Sequence, residues 1–141
     1  MTEIIRISSF LRFVLLADAA TCLVCGLTFA GGGGILQNLL GLPGDLLFYT
    51  GLGLFPFAAF LLYVATRKSV SKTVVWIVIS LNALWTIDSF LLLFSGYVAP
   101  TTFGYVFVTL QPLGVALFAD LEFIGLRKAE VVVFHDAKEM I

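Results

Sequence analysis

Residues 10–30 read FLRFVLLADAATCLVCGLTFA, an apolar run in which only Arg12 and Asp18 are charged. A run of about 20 apolar residues is long enough to cross the hydrocarbon core of a bilayer as a helix. Similar runs follow along the chain, and the predicted membrane spans are residues 10–30, 46–66, 73–97 and 102–125. The mean hydropathy of +1.08, with 60% hydrophobic and 12% charged residues, excludes an ordinary soluble domain. We therefore expect an all-α membrane protein, with one bundle of four transmembrane helices over residues 1–128 and a short tail over 129–141.

The eight Lys and Arg residues all fall on one side of this predicted topology. There is none between Arg12 and Arg67, and none between Lys72 and Arg127. Because the Lys/Arg bias of short loops sets orientation, both termini and the middle loop are predicted to be cytoplasmic. Along the chain these residues are spread too thinly to predict a lipid-binding cluster, and a net charge of −1 gives no indication of nucleic-acid binding.

The first outer loop predicts more than a simple turn. Gly31 to Gly34 should break the first helix, because glycine loses much backbone entropy in a helix. The apolar residues of 35–44 then share one helical face, which predicts a short helical segment in the membrane interface, ended by Gly41 and Pro43.

Capping residues predict where two further spans begin. Asp45 is placed to cap the second span, and Thr101 or Thr102 to cap the fourth. The tail over residues 129–141 mixes apolar and charged residues, so a frayed helix end, a short strand and an interfacial segment all remain open.

Several polar side chains fall inside the predicted spans, where an ionisable group costs about 2.5 kcal/mol or more. The candidates are Asp18, Asn82, Trp85, Asp88, Gln111, Asp120 and Glu122. At about 1.5 Å of rise per residue, Asp18 and Asn82 lie at similar depths, roughly 12–14 Å from the cytoplasmic helix ends. Asp88 lies nearer the height of Gln111. If the polar faces of the third and fourth spans meet, Asp88 is expected to bond Gln111 while Asn82 reaches toward Asp18. Such contacts would form a polar pathway or ligand site, or would fix helix packing.

Asp120 and Glu122 are predicted to be shallower, within about 8 Å of the cytoplasmic end of the fourth span. Arg12 enters the bilayer at about the same level. Two outcomes are open, an interior salt bridge from Arg12 to Glu122 or Asp120, or side chains that each extend separately to the interface.

Cys22 and Cys25 form a C-x-x-C motif inside the first span, which raises the possibility of redox chemistry. A thiol in apolar surroundings is a poor nucleophile, and no second cysteine pair exists. Cys22, Gly26 and Ala30 recur at intervals of four, as close helix packing requires, and packing is the favoured interpretation. With one histidine and no phosphate-binding loop, the sequence predicts no metal, no cofactor and no catalytic residue.

Three strings carry a resemblance to known proteins: Leu81-Asn82-Ala83-Leu84-Trp85 with Asp88-Ser89, Leu40-Gly41-Leu42-Pro43, and the ending LEFIGLR at residues 121–127. They resemble small bacterial four-helix integral membrane proteins of the DoxX-like group. The resemblance implies a bacterial inner membrane protein, and some members of that group are linked to quinone or thiol metabolism. It supplies no catalytic residue.

The favoured function is non-enzymatic, as an accessory subunit of a membrane complex or a homo-oligomer that acts through helix packing. Fourteen Phe residues suit contacts with lipid and with other membrane helices. The first alternative is an oligomeric transporter of a small solute, coupled to protons or cations through Asp88 or Asp18. The second is a membrane enzyme with a quinone or lipid substrate.

Overall fold

The computed structural model describes residues 3–96 and 98–132 and is mostly helical. Its elements are β1 (Ile4–Arg6), α1 (Ser9–Gly31), α2 (Gly33–Leu40), α3 (Gly44–Thr66), β2 (Ser69–Ser71), α4 (Lys72–Phe94) and α5 (Thr102–Arg127). Four of these helices, α1, α3, α4 and α5, are long and apolar enough to cross a membrane. The predicted bundle of membrane helices is consistent with these elements.

The long helices form two pairs, α1 with α3 and α4 with α5, and a contact between α1 and α5 joins the pairs. Small residues let α1 and α3 approach closely: a Cβ atom on Gly51 would lie 2.7 Å from the backbone nitrogen of Ala30, and one on Gly26 would lie 3.1 Å from the carbonyl oxygen of Gly51. This agrees with the packing predicted for Gly26 and Ala30. The described lengths of α3 and α4 have no extended contact with each other, so space remains between the two pairs.

The end of the bundle that carries the basic residues is tied together by a small sheet. β1 pairs antiparallel with β2, in a register that sets Arg6 opposite Ser69. Val131 forms a bridge with Ile5, and the backbone nitrogen of Val132 donates to the carbonyl of Ile4 at 2.7 Å. The N-terminal strand, the α3–α4 connection and the segment after α5 therefore meet at one end, which we call the basic end. The predicted tail conformation beyond Val132 lies outside the described residues.

At the opposite end, the outer end, the predicted helix break is confined to Gly32, with α1 running to Gly31 and α2 starting at Gly33. The predicted end of α2 at Gly41 is present. This residue takes the left-handed conformation (φ +69°), and its backbone N–H donates to the carbonyl of Gln37. Thr101 holds α2 in place: its hydroxyl donates to the carbonyl of Leu39 at 2.7 Å. The location of α2 in the membrane interface stays a prediction.

Two predicted helix starts had different outcomes. Thr101 caps α5 as predicted, and its hydroxyl accepts from the backbone N–H of Gly104 at 3.0 Å. Asp45 does not cap α3, because the helix begins one residue earlier, at Gly44, after Pro43. Asp45 lies instead in the first turn, where its negative charge interacts favourably with the free N–H groups at the start of the helix.

The end of α4 also differs from the prediction. α4 ends at Phe94 rather than continuing to 97, since Ser95 closes the last turn and Gly96 has a positive φ of 76°.

Candidate functional site: a carboxyl–amide cluster beside an apolar cleft

Three polar side chains from three helices meet inside the bundle. The side-chain nitrogen of Asn82 on α4 donates to Asp18 Oδ2 on α1 and to Glu122 Oε1 on α5, both at 2.8 Å. All three are buried, with 3% of Asn82, 2% of Asp18 and none of Glu122 exposed. We call these residues the carboxyl–amide cluster. One amide group of α4 thus links a carboxyl group of α1 to a carboxyl group of α5, across the contact that joins the two helix pairs.

Helical periodicity explains why these side chains converge. Each occupies a place in a stripe of buried residues at spacings of three and four, where an apolar side chain would otherwise stand. The stripes are Leu11, Leu15, Asp18 and Cys22 on α1, Val75, Val78 and Asn82 on α4, and Ala119, Glu122 and Leu126 on α5. Asp18, Asn82 and Glu122 therefore occupy core positions, and they differ from their buried neighbours in being polar.

The predicted contact between Asn82 and Asp18 is present. Of the two outcomes left open for Arg12, the salt bridge with Glu122 or Asp120 does not form in the part of the chain that the structure describes. The Arg12 guanidinium donates instead to the backbone carbonyls of Ala65, at 2.8 Å, and Arg67, at 3.0 Å. These carbonyls at the end of α3 lack helical partners and lie within reach of the long side chain.

The two acidic residues of α5 face different surroundings. Glu122 turns toward α4 and joins the cluster, while Asp120 is exposed on the helix surface. Two residues correspond to about 200° of rotation around an α-helix, so the two side chains point to nearly opposite sides. Glu122 is therefore a member of the site, and Asp120 is not.

The cluster carries two acidic groups without a basic partner among the residues that the structure describes. The Cys22 thiol donates to Asp18 Oδ1 at 3.7 Å, and the carboxyl groups of Asp18 and Glu122 are close enough for a hydrogen bond between them. Glu122 Oε2 is buried and has no hydrogen-bond partner. An uncompensated carboxyl oxygen at this depth is costly, which is why acidic groups inside membrane proteins mark sites of ion, proton or ligand binding more often than stable packing alone.

An apolar cleft lies beside the cluster, between the two helix pairs, with a volume of about 490 Å³. Asp18 and Asn82 form part of its wall. Four aromatic side chains also line it: Phe57, Phe60, Trp85 and Phe118. Because Pro56, Leu81 and Gly114 are both exposed and part of its lining, the cleft opens on the surface that faces lipid. Its volume falls in the range of about 300–1,000 Å³ that is usual for small-molecule sites.

Trp85 and Gln111 separate this cleft from a second cavity of about 290 Å³ toward the outer end, and both residues line both spaces. The indole nitrogen of Trp85 is buried without a hydrogen-bond partner. Asp88 lines the outer cavity, as Gln111 does, but within the described chain no hydrogen bond joins them, contrary to prediction. Asp88 is exposed on α4, so its carboxyl group faces open space rather than the amide of Gln111.

Cys22 and Cys25 are free thiols in the α1 wall of the cleft. Cys22 is buried next to Asp18, and Cys25 is half-buried. The two cysteines therefore do more than pack α1 against a neighbouring helix, since both also border the cleft. Within residues 3–96 and 98–132, no group of three His, Cys, Asp or Glu residues is arranged to hold a metal ion.

Sequence reasoning did not find the α3 wall of the site. Phe57 and Phe60 carry no polar signal, and nothing in their spacing distinguishes them from lipid-facing residues. Phe118 was detectable, because it lies in the same α5 stripe as Gln111 and Glu122.

Comparisons with protein families, curated proteins and solved structures return no match to this chain. The resemblance to the DoxX-like group therefore stays a prediction.

Proposed function

We propose that this protein binds a lipid-soluble cation in the apolar cleft, with the cationic group held at the carboxyl–amide cluster. The observation that carries the proposal is the pairing of two buried carboxyl groups with an aromatic-walled cleft that opens toward lipid. This goes beyond packing, because packing alone requires neither an open cleft nor two acidic groups on one amide.

Charge balance supports a cationic ligand. The described residues around the cluster supply hydrogen-bond donors, Asn82 and Cys22, but no positive charge. The chain has no Lys or Arg between Arg12 and Arg67 or between Lys72 and Arg127. A cation beside Asp18 would stabilise an ionised carboxyl group there, in a medium where ionic attraction is poorly screened.

The walls of the cleft suit the body of such a ligand. The lining is mainly aliphatic and aromatic, so it favours an apolar molecule that partitions into the bilayer first. A cation over the face of Phe57, Phe60 or Trp85 would gain about 0.5–2 kcal/mol from the aromatic ring. An amine or quaternary ammonium ion that carries aromatic or branched alkyl groups combines these features.

The orientation that we propose follows the basic residues. The basic end lies in the cytoplasm and the outer end lies across the membrane, which we take to be a bacterial inner membrane. In this orientation the cluster is nearer the cytoplasmic side than the cavity that contains Asp88.

The test compares two ligands of equal shape. The probes are a phenylalkyl trimethylammonium ion and its neutral isostere, in which a tert-butyl group replaces the trimethylammonium group. Binding to the full chain in lipid nanodiscs is followed by tryptophan fluorescence in a Trp76→Phe background, which leaves Trp85 in the cleft as the remaining tryptophan. We expect the cation to bind at least about tenfold more tightly than the isostere, a difference of about 1.4 kcal/mol.

The variant Asp18→Asn should remove most of that preference while leaving the weaker binding of the isostere unchanged. The comparison of the two probes needs no substitution in the cluster, so it stands even if Asp18→Asn fails to fold. Equal affinity for the two probes would overturn the assignment of a cation, and no binding of either probe would overturn the cleft as a ligand site.

A second candidate function is transport of the same ligand, which is favoured by the second cavity. Trp85 and Gln111 border both spaces, so movement of these two side chains would connect the cluster with Asp88 and the outer end. Transport requires Asp88 or another acceptor on that route, whereas binding does not. In proteoliposomes, Asp88→Asn should slow cation flux and leave equilibrium binding unchanged; equal flux would contradict a role for Asp88.

The hypothesis of an accessory subunit or homo-oligomer concerns partners, and isolation from native membranes in mild detergent tests it. Comigration with a large complex would support it, and a lone monomer would count against it.

The hypothesis of a quinone-dependent or lipid-modifying enzyme predicts turnover that depends on the same cleft. Neither hypothesis accounts for the acidic pair as directly as a cationic ligand does.

A further inference from the structure

A second polar site lies at the basic end and shares no lining residue with the apolar cleft. Pairing of β1 with β2 sets Arg6 directly across from Ser69, and Lys68 precedes Ser69 on the same connection. These three residues and Val132 line a cavity of about 250 Å³. The sequence had predicted no lipid-binding cluster because Arg6 and Lys68 are far apart along the chain, and the sheet removes that separation.

Ser69 provides an independent sign of a ligand. It is 6% exposed, and its hydroxyl oxygen is buried without a hydrogen-bond partner. A hydroxyl that is buried and unpaired is unfavourable by about 1–3 kcal/mol, so such groups in native proteins usually have a partner. Here the hydroxyl borders a cavity that two cationic residues also border.

The backbone around this cavity is held firmly. The N–H of Ile7 donates to the carbonyl of Lys68 at 2.9 Å, and the N–H of Arg6 donates to the carbonyl of Glu130 at 2.9 Å. Arg12 binds the carbonyl of Arg67, the residue before Lys68, at 3.0 Å. Three chain segments therefore position the cavity lining before any ligand arrives, which lowers the entropy lost on binding.

We infer that Arg6, Lys68 and Ser69 form a binding site for a phosphate group at the basic end. Arginine offers planar paired donors, lysine a point charge and serine a hydroxyl, which is a set of donors suited to phosphate oxygens. The connection that carries Lys68 and Ser69 joins the ends of two membrane helices, so the site lies at the height of lipid headgroups. The phosphate could come from an anionic phospholipid or from free phosphate, and the experiment separates these sources. This inference does not depend on the proposed cation site.

The test uses the full chain in nanodiscs of phosphatidylcholine with and without phosphatidic acid. Native mass spectrometry counts the phosphatidic acid molecules that the released protein retains, and inorganic phosphate is added as a competitor. We expect Lys68→Gln to weaken retention about fivefold and Ser69→Ala about tenfold. The matched control is Lys128→Gln, which removes an exposed charge at the same end of the bundle outside this cavity and should change retention little.

Ser69→Ala also separates binding from structure. Because it removes an unpaired hydroxyl, it should leave the thermal stability of the ligand-free protein equal or slightly higher while phosphate binding falls.

Displacement of the lipid by inorganic phosphate, together with phosphate binding in phosphatidylcholine alone, would identify free phosphate as the ligand of the same site. Retention that is lost equally in Lys128→Gln, or kept in both Lys68→Gln and Ser69→Ala, would overturn the inference.

Discussion

Replacing Asn82 with leucine tests whether one amide holds the two halves of the bundle together. Leucine has nearly the shape of asparagine, so the change removes both hydrogen bonds without opening a large cavity. Hydrogen bonds between membrane helices contribute about 0.6 kcal/mol on average and up to about 1.7 kcal/mol. The two bonds at 2.8 Å therefore account for about 1–3 kcal/mol. The oxygens left unpaired on Asp18 and Glu122 place the expected loss near the upper end of that range.

The free energy of unfolding is measured in mixed micelles by titration with a denaturing detergent. The matched control is Asn38→Leu, the same substitution at an exposed position of α2, where we expect a change within about 0.5 kcal/mol. If the two substitutions have equal effects, the amide does not join the helices and the reasoning is refuted.

A triple variant sharpens the same test. Replacing Asp18, Asn82 and Glu122 together with leucine removes the unpaired oxygens as well as the bonds. Buried ionic groups replaced by apolar ones of similar volume often leave stability unchanged or raise it by about 1–4 kcal/mol. The triple variant should therefore be more stable than Asn82→Leu alone and should lose the preference for the cationic probe. A triple variant less stable than Asn82→Leu would mean that the polar cluster stabilises the fold by itself.

Three further predictions concern packing and the cleft. Gly104→Ala should lower the free energy of unfolding by about 1–3 kcal/mol, because a Cβ atom there would collide with the carbonyl oxygen of Leu40. The control is Gly114→Ala on the same helix, which should not lower the free energy of unfolding because the added carbon has no atom within 4 Å. Gly53→Leu should fill the cleft without disturbing the backbone, since its added Cβ meets no atom within 4 Å, and both the cationic probe and its neutral isostere should bind at least about tenfold more weakly; unchanged binding would place the ligand elsewhere. Affinity for the quaternary ammonium probe should fall as pH is lowered, by at most about tenfold per pH unit for each proton displaced, because protons compete for the same carboxyl oxygens; affinity for the neutral isostere should not change. The titratable groups at the cluster and in the α1 wall of the cleft are Asp18, Cys22, Cys25 and Glu122, while the facing walls from α3 and α4 carry none.

Local patterns were sufficient for much of this architecture. Four apolar runs, the left-handed stop at Gly41 and the cap at Thr101 depend on residues close together in the chain, so they were predictable from composition and spacing. The meeting of Asp18 with Asn82 was also predictable, because helical rise converts sequence position into depth when the charged ends define the membrane boundaries. The predicted depth of Glu122 was too shallow, because its carboxyl group accepts from the amide of Asn82. Depth also does not specify rotation, and for that reason the hydrogen bond predicted between Asp88 and Gln111 is absent from the described residues.

The sequence by itself determined that the chain has four helices long and apolar enough to cross a membrane, and which polar groups those helices carry. Only the tertiary structure decided that Glu122 joins Asp18 on one amide, that the aromatic residues of α3 face them across a cleft, and that Arg6 stands beside Ser69. Hydrophobicity and helical period act over a few turns of one helix and are visible in one segment. Which faces of separate helices meet depends on close contacts such as those at Gly26, Gly51 and Gly104, and these contacts exist only once the helices have packed.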